Sequence, residues 1–334
     1  MKRFFVLLNV CLIAVVFFVS CGRGGKNNKS VDNQNKFMHF ADTTSDGRRF
    51  SKDPHVVYFK GKYLMYYSIG AGKGTVWSIG VAESSNLNEW KPIARINPVE
   101  AYEQKGFCAP CALVRNDTVH LFYQTYGNGA NDAICHAWSV DGTNFVRNKT
   151  NPIFSPHKSD WNCGRAIDAE VVFINNKYHL YYATRTPDFV KQIIGVAFAP
   201  AGTNFDKNDW IQTVDKPIMV PEYPWEETCI EGASILNRDS VFYMFYAGAY
   251  NVRPQQIGVA KSYDGIKWEK LSNKPFLENG DPGTWNYCES GHPHIFKDKN
   301  DDTYLFYQGN NDNGKTWYLS NVKVNWKNGV PNIK

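Results

Sequence analysis

Polar residues recur along the chain at a regular interval, each just ahead of a short apolar run. In Cys229-Ile230-Glu231-Gly232-Ala233-Ser234-Ile235-Leu236 a glutamate opens the run. A polar break over 237–240 follows, then a run dense in aromatics, Val241-Phe242-Tyr243-Met244-Phe245-Tyr246. Aromatic and β-branched runs of this length, broken by turn residues, predict antiparallel strands. Four more pairs follow the same plan. Asp53-Pro54-His55-Val56-Val57-Tyr58 precedes Lys62-Tyr63-Leu64-Met65-Tyr66-Tyr67, and Cys108-Ala109-Pro110-Cys111-Ala112-Leu113-Val114 precedes Val119-His120-Leu121-Phe122-Tyr123. Asp168-Ala169-Glu170-Val171-Val172-Phe173 precedes Tyr178-His179-Leu180-Tyr181-Tyr182, and His292-Pro293-His294-Ile295-Phe296 precedes Thr303-Tyr304-Leu305-Phe306-Tyr307.

A third strand-like run completes each unit. Ile79-Gly80-Val81-Ala82 leads to Trp90, Ile134-Cys135-His136-Ala137 to Phe145, Ile194-Gly195-Val196-Ala197 to Phe205, and Ile257-Gly258-Val259-Ala260 to Trp268. The last unit is degenerate, with Thr316-Trp317-Tyr318-Leu319 before Trp326. Asp141-Gly142 and Asp264-Gly265 supply strong turn signals between such runs. Each unit therefore reads as an inner strand, an aromatic second strand, a third strand and a short outer strand ending in an aromatic. Four-stranded units of this length, five times over, predict an all-β chain folded as a five-bladed β-propeller across residues 37–334. A β-sandwich does not account for one polar opener per unit. In a propeller the openers Asp53, Cys108, Asp168, Glu231 and His292 converge at one end of the central channel.

The first 36 residues do not belong to the repeats. Lys2-Arg3, an apolar stretch from Phe4 to Phe18, and Val19-Ser20-Cys21-Gly22 make residues 1–20 a secretory signal peptide. Its end resembles the lipobox of bacterial lipoproteins, with Cys21 as the lipid-attachment residue and Phe18 where leucine is usual. The apolar run falls short of the roughly 18 residues a membrane span needs. Residues 21–36, rich in Gly, Asn, Lys and Ser, form a lipidated flexible tether. The chain is thus expected to be an exported lipoprotein, anchored to a membrane through Cys21 in the periplasm or at the cell surface.

The formal charge of +5 falls to +3 when Lys2 and Arg3 leave, and no basic cluster beyond the tether points to nucleic acid. The remaining cysteines, at 108, 111, 135, 163, 229 and 288, read as buried thiols of inner strands, with one or two disulfides as the alternative. The 10 Trp, 19 Tyr and 21 Phe exceed what turns can carry, so most belong to the core or to a cleft lining.

Two aspartates and a glutamate at a channel mouth suit glycoside hydrolysis. One carboxyl protonates the leaving oxygen, another activates water, and a third tunes the acid, whose pKa burial or a neighbouring carboxylate must raise. Here the residues resemble glycoside hydrolase family 43. Asp53-Pro54, Ala109-Pro110, Ile167-Asp168-Ala169, Glu231-Gly232-Ala233 and Gly291-His292 follow its blade signatures in order, with Ala169 and Ala233 in place of two prolines. The resemblance implies Asp53 as general base, Asp168 as pKa tuner and Glu231 as general acid. It also implies His292 near the axis, where family members often hold a water or a calcium ion. No cofactor is otherwise expected. An inverting reaction on an oligosaccharide or polysaccharide, exo-acting on arabinofuranosides or xylosides, is the implied activity. A family 117-like anhydrogalactosidase and a non-catalytic carbohydrate-binding propeller stay open as alternatives. Trp161, Arg165, Glu289 and His292 are the candidate substrate contacts, and Glu170 is the substitute for Asp168. His55 and His294 suit scaffold and ligand roles equally.

Overall fold

The computed structural model of the chain describes residues 37–333, so the leader, Cys21 and the tether lie outside the described residues. Five antiparallel sheets follow one another. Blade 1 holds β1 (Lys52–Phe59), β2 (Lys62–Ile69), β3 (Ser78–Ser84) and β4 (Lys91–Ile96). Blade 2 holds β5 (Phe107–Arg115), β6 (Thr118–Thr125), β7 (Ile134–Ser139) and β8 (Val146–Arg147). Blade 3 holds β9 (Ile167–Ile174), β10 (Lys177–Arg185) and β11 (Gln192–Pro200). Blade 4 holds β12 (Ile230–Arg238), β13 (Val241–Gly248), β14 (Gln256–Ser262) and β15 (Glu269–Lys270). Blade 5 holds β16 (Glu289–Lys297), β17 (Thr303–Asn310), β18 (Tyr318–Lys327) and β19 (Val330–Asn332). The inner strands β1, β5, β9, β12 and β16 touch in a closed cycle, so the expected five-bladed propeller is the fold. The segment before β1 closes the ring: Phe40 pairs with Leu319 of β18, and Ser320 Oγ donates to Met38 O at 2.6 Å.

Local sequence explains the hairpins. The inner and second strands of blades 1 to 4 are joined by Lys60-Gly61, Asn116-Asp117, Asn175-Asn176 and Asp239-Ser240, both residues of each pair having positive φ. That is the primed two-residue turn whose twist matches the strands it joins, and Asn, Asp and Gly tolerate it best. The polar break at 237–240 is thus shorter than its composition suggests, because β12 runs on through Arg238. The outer aromatics precede the fourth strand instead of ending it. Trp90, Phe145 and Trp268 stand just before β4, β8 and β15, while blade 3 has only a bridge between Phe198 and Ile211 at that place.

The core is a ring of wedges between blades. Five apolar clusters each draw on two neighbours, such as Phe122 of blade 2 with Leu180 and Tyr182 of blade 3. The Ile-Gly-Val-Ala signature follows from this packing. A Cβ on Gly195 would lie 2.5 Å from Cζ of Tyr182, and Gly80 and Gly258 are filled in the same way by Tyr67 and Tyr246. Blades are also tied by tyrosine hydroxyls: Tyr66 donates to Gly142 O at 2.9 Å and Tyr181 to Gly265 O at 2.7 Å. Gly195→Ala should therefore overpack a rigid wedge and lower stability by about 1–3 kcal/mol. Gly202→Ala, where an added Cβ meets nothing within 4 Å, should be near neutral. Thermal unfolding of the two variants measures the difference, and equal Tm values would refute the packing account.

Candidate active site

Every inner strand slips its register at its entry end. The slip falls between Lys52 and His55, Cys108 and Cys111, Ile167 and Glu170, Glu231 and Ser234, and Gly291 and His294. Asp53, Ala109, Asp168, Gly232 and His292 hold the same place in these bulges, with φ of 52°, 49°, 52°, 59° and 44°. Glu231 and Cys108 are therefore one residue earlier in their blades than Asp53, Asp168 and His292. The polar openers mix two adjacent positions. On a regular strand such neighbours face opposite ways, but a bulge re-aims side chains. Lys52 with Asp53, and Ile167 with Asp168, accordingly line one pocket of about 480 Å³.

Second-strand side chains catch the N–H groups that the bulges free. Gln308 Oε1 accepts from Asp53 N at 3.0 Å, Ser68 Oγ from Ala109 N at 2.8 Å, and Gln124 Oε1 from Asp168 N at 2.7 Å. These acceptors occupy one position in the repeat, opposite Gly291, Lys52 and Cys108. Asp53 and Asp168 are thereby held through their own backbone.

The pocket gathers Asp53, Asp168, Glu231, Arg165 and His292, walled by Phe50, Trp77, Tyr126, Tyr250 and Trp317. His292 Nε2 lies 3.3 Å from Asp168 Oδ1 and 3.6 Å from Asp53 Oδ1. Burial alone would lower the pKa of this imidazole; Asp53 and then Asp168 reverse that and push it up to about 9. His292 is thus a cation that offsets the repulsion between the two aspartates. Glu231 is buried, and burial followed by the charge of Asp168 raises its pKa. Gln255 Nε2 donates to Glu231 Oε1 at 2.7 Å, which opposes the rise, and Gln192 Nε2 donates to Oε2, so that two amides fix the carboxyl in place.

Gln192 and Gln255 both stand two residues before the Ile of an Ile-Gly-Val-Ala run. The same position is Trp77 in blade 1, Asp132 in blade 2 and Trp317 in blade 5. Asp132 Oδ2 lies 3.5 Å from Arg165 Nη2, while Lys52 Nζ lies 4.5 Å from the centre of the Trp317 ring and donates to Asn251 Oδ1 at 2.8 Å. This tier, with Arg185, is absent from the sequence-derived site, although the run itself marks its position.

Two candidates lie elsewhere. Trp161 packs against the wedge between blades 2 and 3 and faces a separate surface pocket with His157 and Gln212. Glu289 is buried beneath the pocket wall, taking Gln308 Nε2 at 2.7 Å and Val252 N at 2.6 Å, and burial pushes its pKa up to about 7. Glu170 also leaves the pocket. It sits deeper on the axis, accepting from Ile235 N at 2.8 Å and His55 Nε2 at 3.1 Å, with Cys111, Ser234 and His294 around it. His55, Glu170 and His294 form the one cluster of metal-ligand type among the described residues. Its hydrogen bonds do not suit a metal. His55 Nδ1 accepts from Ala112 N at 3.2 Å, so the ring proton is on Nε2, aimed at Glu170. Beside His292 the carboxylates of Asp53 and Asp168 are the oxygen donors at hand for a calcium ion, which seeks six to eight oxygens.

Residues 46–331 match the profile of the glycosyl hydrolases family 43. The chain belongs to that family. A thermostable family-43 glycoside hydrolase shares its fold at 19% identity and a TM-score of 0.67, over 85% of this chain and 92% of that one. An α-L-arabinofuranosidase from Lactobacillus brevis superposes at 0.66 with 16% identity, over 85% and 94% of the two chains. A β-1,2-mannobiose phosphorylase from Thermoanaerobacter sp. (strain X514) is 31% identical over 116 residues, 31% of this chain, and the chain spans about a third of that relative's length. Within this family-43 chain the raised pKa of His292 links folding to pH. Its stabilisation is complete below the unfolded value near 6.5 and is lost as pH rises through about 9. Tm should fall across that window, and His292→Gln should flatten the fall; an unchanged slope in the variant would show that His292 is not charged. Glu289, whose raised pKa acts between about 4.5 and about 7, contributes at lower pH.

Proposed function

We propose that the chain hydrolyses glycosidic bonds with inversion, removing terminal α-L-arabinofuranosyl or β-xylosyl residues from an oligosaccharide or polysaccharide. The observation that carries this reading is the meeting of Asp53, Asp168 and Glu231, from three blades, in one pocket where only Glu231 is clasped by two glutamine amides. Glu231, its pKa raised by burial, gives its proton to the departing oxygen. Asp53 removes a proton from the water that attacks the opposite face of the sugar. Asp168 keeps the acid protonated by repulsion and shares His292 with Asp53. Inversion needs room for that water, with the base and acid carboxyls about 6.5–9.5 Å apart. Exo action is supported by the buried ring of His55, Cys111, Glu170, Ser234 and His294, which fills the axis beneath the pocket. The relative described as an α-L-arabinofuranosidase supports the sugar class.

Proton NMR of the first-formed sugar should show inverted configuration, and retention would overturn the role of Asp53. Glu231→Gln should cost about 10²–10⁴-fold on substrates with poor leaving groups and far less on activated aryl glycosides, which depart without a proton. Asp53→Asn should damage both alike. In wild type, kcat/KM should fall on the alkaline side as Glu231 loses its proton, and that limb should flatten with the activated substrate.

The leader and Cys21 support export as a lipoprotein that holds the enzyme at a membrane surface near its polymer. Cys21→Ser should release soluble exported protein and abolish incorporation of labelled fatty acid. Labelling that persists in the variant would overturn the assignment.

A further inference from the structure

A second cleft of about 670 Å³ opens between blades 2 and 3, lined among others by His120, His136, Trp138, Asn148, Lys149 and Asn204. It lies toward the far end of the propeller from the catalytic pocket. Strand β6 reaches that pocket with Gln124 and this cleft with Thr118 and His120, and four residues of strand span about 13 Å. Its volume falls in the range of small-molecule sites.

A chain of hydrogen bonds with one possible direction ends in this cleft. Asn148 Oδ1 accepts from Thr150 N at 2.8 Å, which fixes the amide so that Nδ2 faces His136 Nδ1 at 3.2 Å. His136 Nδ1 is then an acceptor, and its proton resides on Nε2, 3.0 Å from His120 Nδ1. His120 is left with its proton on Nε2. Burial lowers the pKa of both rings, to about 3 for His136 and about 4 for His120, so both are neutral. His120 borders the cleft, and no acceptor among the described residues meets its Nε2–H, which is open to solvent there, whereas Nε2 of His179 in blade 3 is buried. The relay keeps that donor available instead of satisfying it.

Blade 3 supplies an internal control. His120 stands directly opposite Trp138, as His179 stands opposite Phe198. In blade 3 the aromatic is covered, at 7% exposure, by the segment carrying Ile211. In blade 2 the indole of Trp138 is 40% exposed, with Val146 exposed beside it in the cleft wall. The cations do not form a dedicated anion site. Arg115 donates to Thr203 O at 2.9 Å and stacks on Phe205, and Arg147 is bound to Glu103 at 2.7 Å. A flat apolar face beside an N–H donor, amides and one lysine matches a ring that is apolar on its face and hydroxylated at its edge.

We propose that this cleft is a second carbohydrate-binding site, in which a sugar ring of a glycan chain stacks on Trp138 and accepts a hydrogen bond from His120 Nε2. It would hold a polymer on the side away from the catalytic pocket and needs no turnover. The test is affinity electrophoresis in native gels containing arabinan, xylan, mannan, galactan or pectin. Wild type should be retarded by at least one polymer. Trp138→Ala should weaken that retardation at least about tenfold, or 1.4 kcal/mol, while its hydrolysis of short aryl glycosides stays within about twofold. His120→Gln should weaken it by a smaller factor. Because Trp138 is exposed, the alanine variant should keep the wild-type Tm. The proposal is overturned if no polymer retards wild type, or if Trp138→Ala is retarded as strongly as wild type. Retardation without hydrolysis would instead leave this site standing and remove the glycosidase reading.

Discussion

Each inner strand must admit one residue with left-handed backbone at its entry, and the site depends on that constraint. A non-glycine residue in this region costs of order 1–3 kcal/mol, and Asp53, Ala109, Asp168 and His292 all adopt it. Asp and His are among the residues that tolerate it best; alanine has no such excuse. The conformation persists because the neighbouring blade catches the freed N–H at Asp53, Ala109 and Asp168. The bulge also brings consecutive residues into the same pocket. Without it Lys52 would face away from Asp53, and the ammonium would be lost from the pocket wall.

Charge inside this small volume is balanced group by group. His292 answers Asp53 and Asp168, and Asp132 answers Arg165. Lys52 feels Asp53, then Glu289 and Glu231, strongly enough that its pKa rises although burial alone would lower it. A buried charge without such a partner would neutralise instead. Glu231 is the exception in kind, since burial and Asp168 drive it toward the protonated form while His292 and the Gln255 amide hold it back. That opposition is what a proton donor requires: a carboxyl that is neutral before the reaction and tolerable as an anion after it.

The fold was legible in the sequence because each unit repeats a pattern with a local cause. Asp-Gly turns, aromatic second strands and Ile-Gly-Val-Ala third strands each report a contact inside a blade or with its neighbour. Asp53, Asp168, Glu231, Arg165 and His292 were legible through position in the repeat. Trp161 and Glu289 were not, because their direction depends on how a long loop and a strand entry pack, and composition does not encode direction. The tier of Trp77, Asp132, Gln192, Gln255 and Trp317 holds two tryptophans, two glutamines and an aspartate, so no single chemistry announces it. Their common place, two residues before the third-strand run of each unit, marks them as one position, and strand register confirms it.

Beneath the catalytic pocket the axis carries a second ring, also one residue per blade: His55, Cys111, Glu170, Ser234 and His294. Its members stand two positions past the bulge in every inner strand, where regular pairing resumes. The pocket above is lined by charged groups that face a cavity, whereas this ring closes on itself. Ile235 N, His55 Nε2 and the Ser234 hydroxyl converge on Glu170, and Ala112 N and Val56 O fix the outer nitrogens of His55 and His294. A buried network is tolerable when every member is satisfied, and here that satisfied layer forms the floor of the pocket. The bulge is the boundary between them. Below it the backbone pairs regularly and side chains complete one another; above it the backbone at Asp53, Ala109 and Asp168 is held by side chains of the preceding blade, and the carboxyls face the pocket.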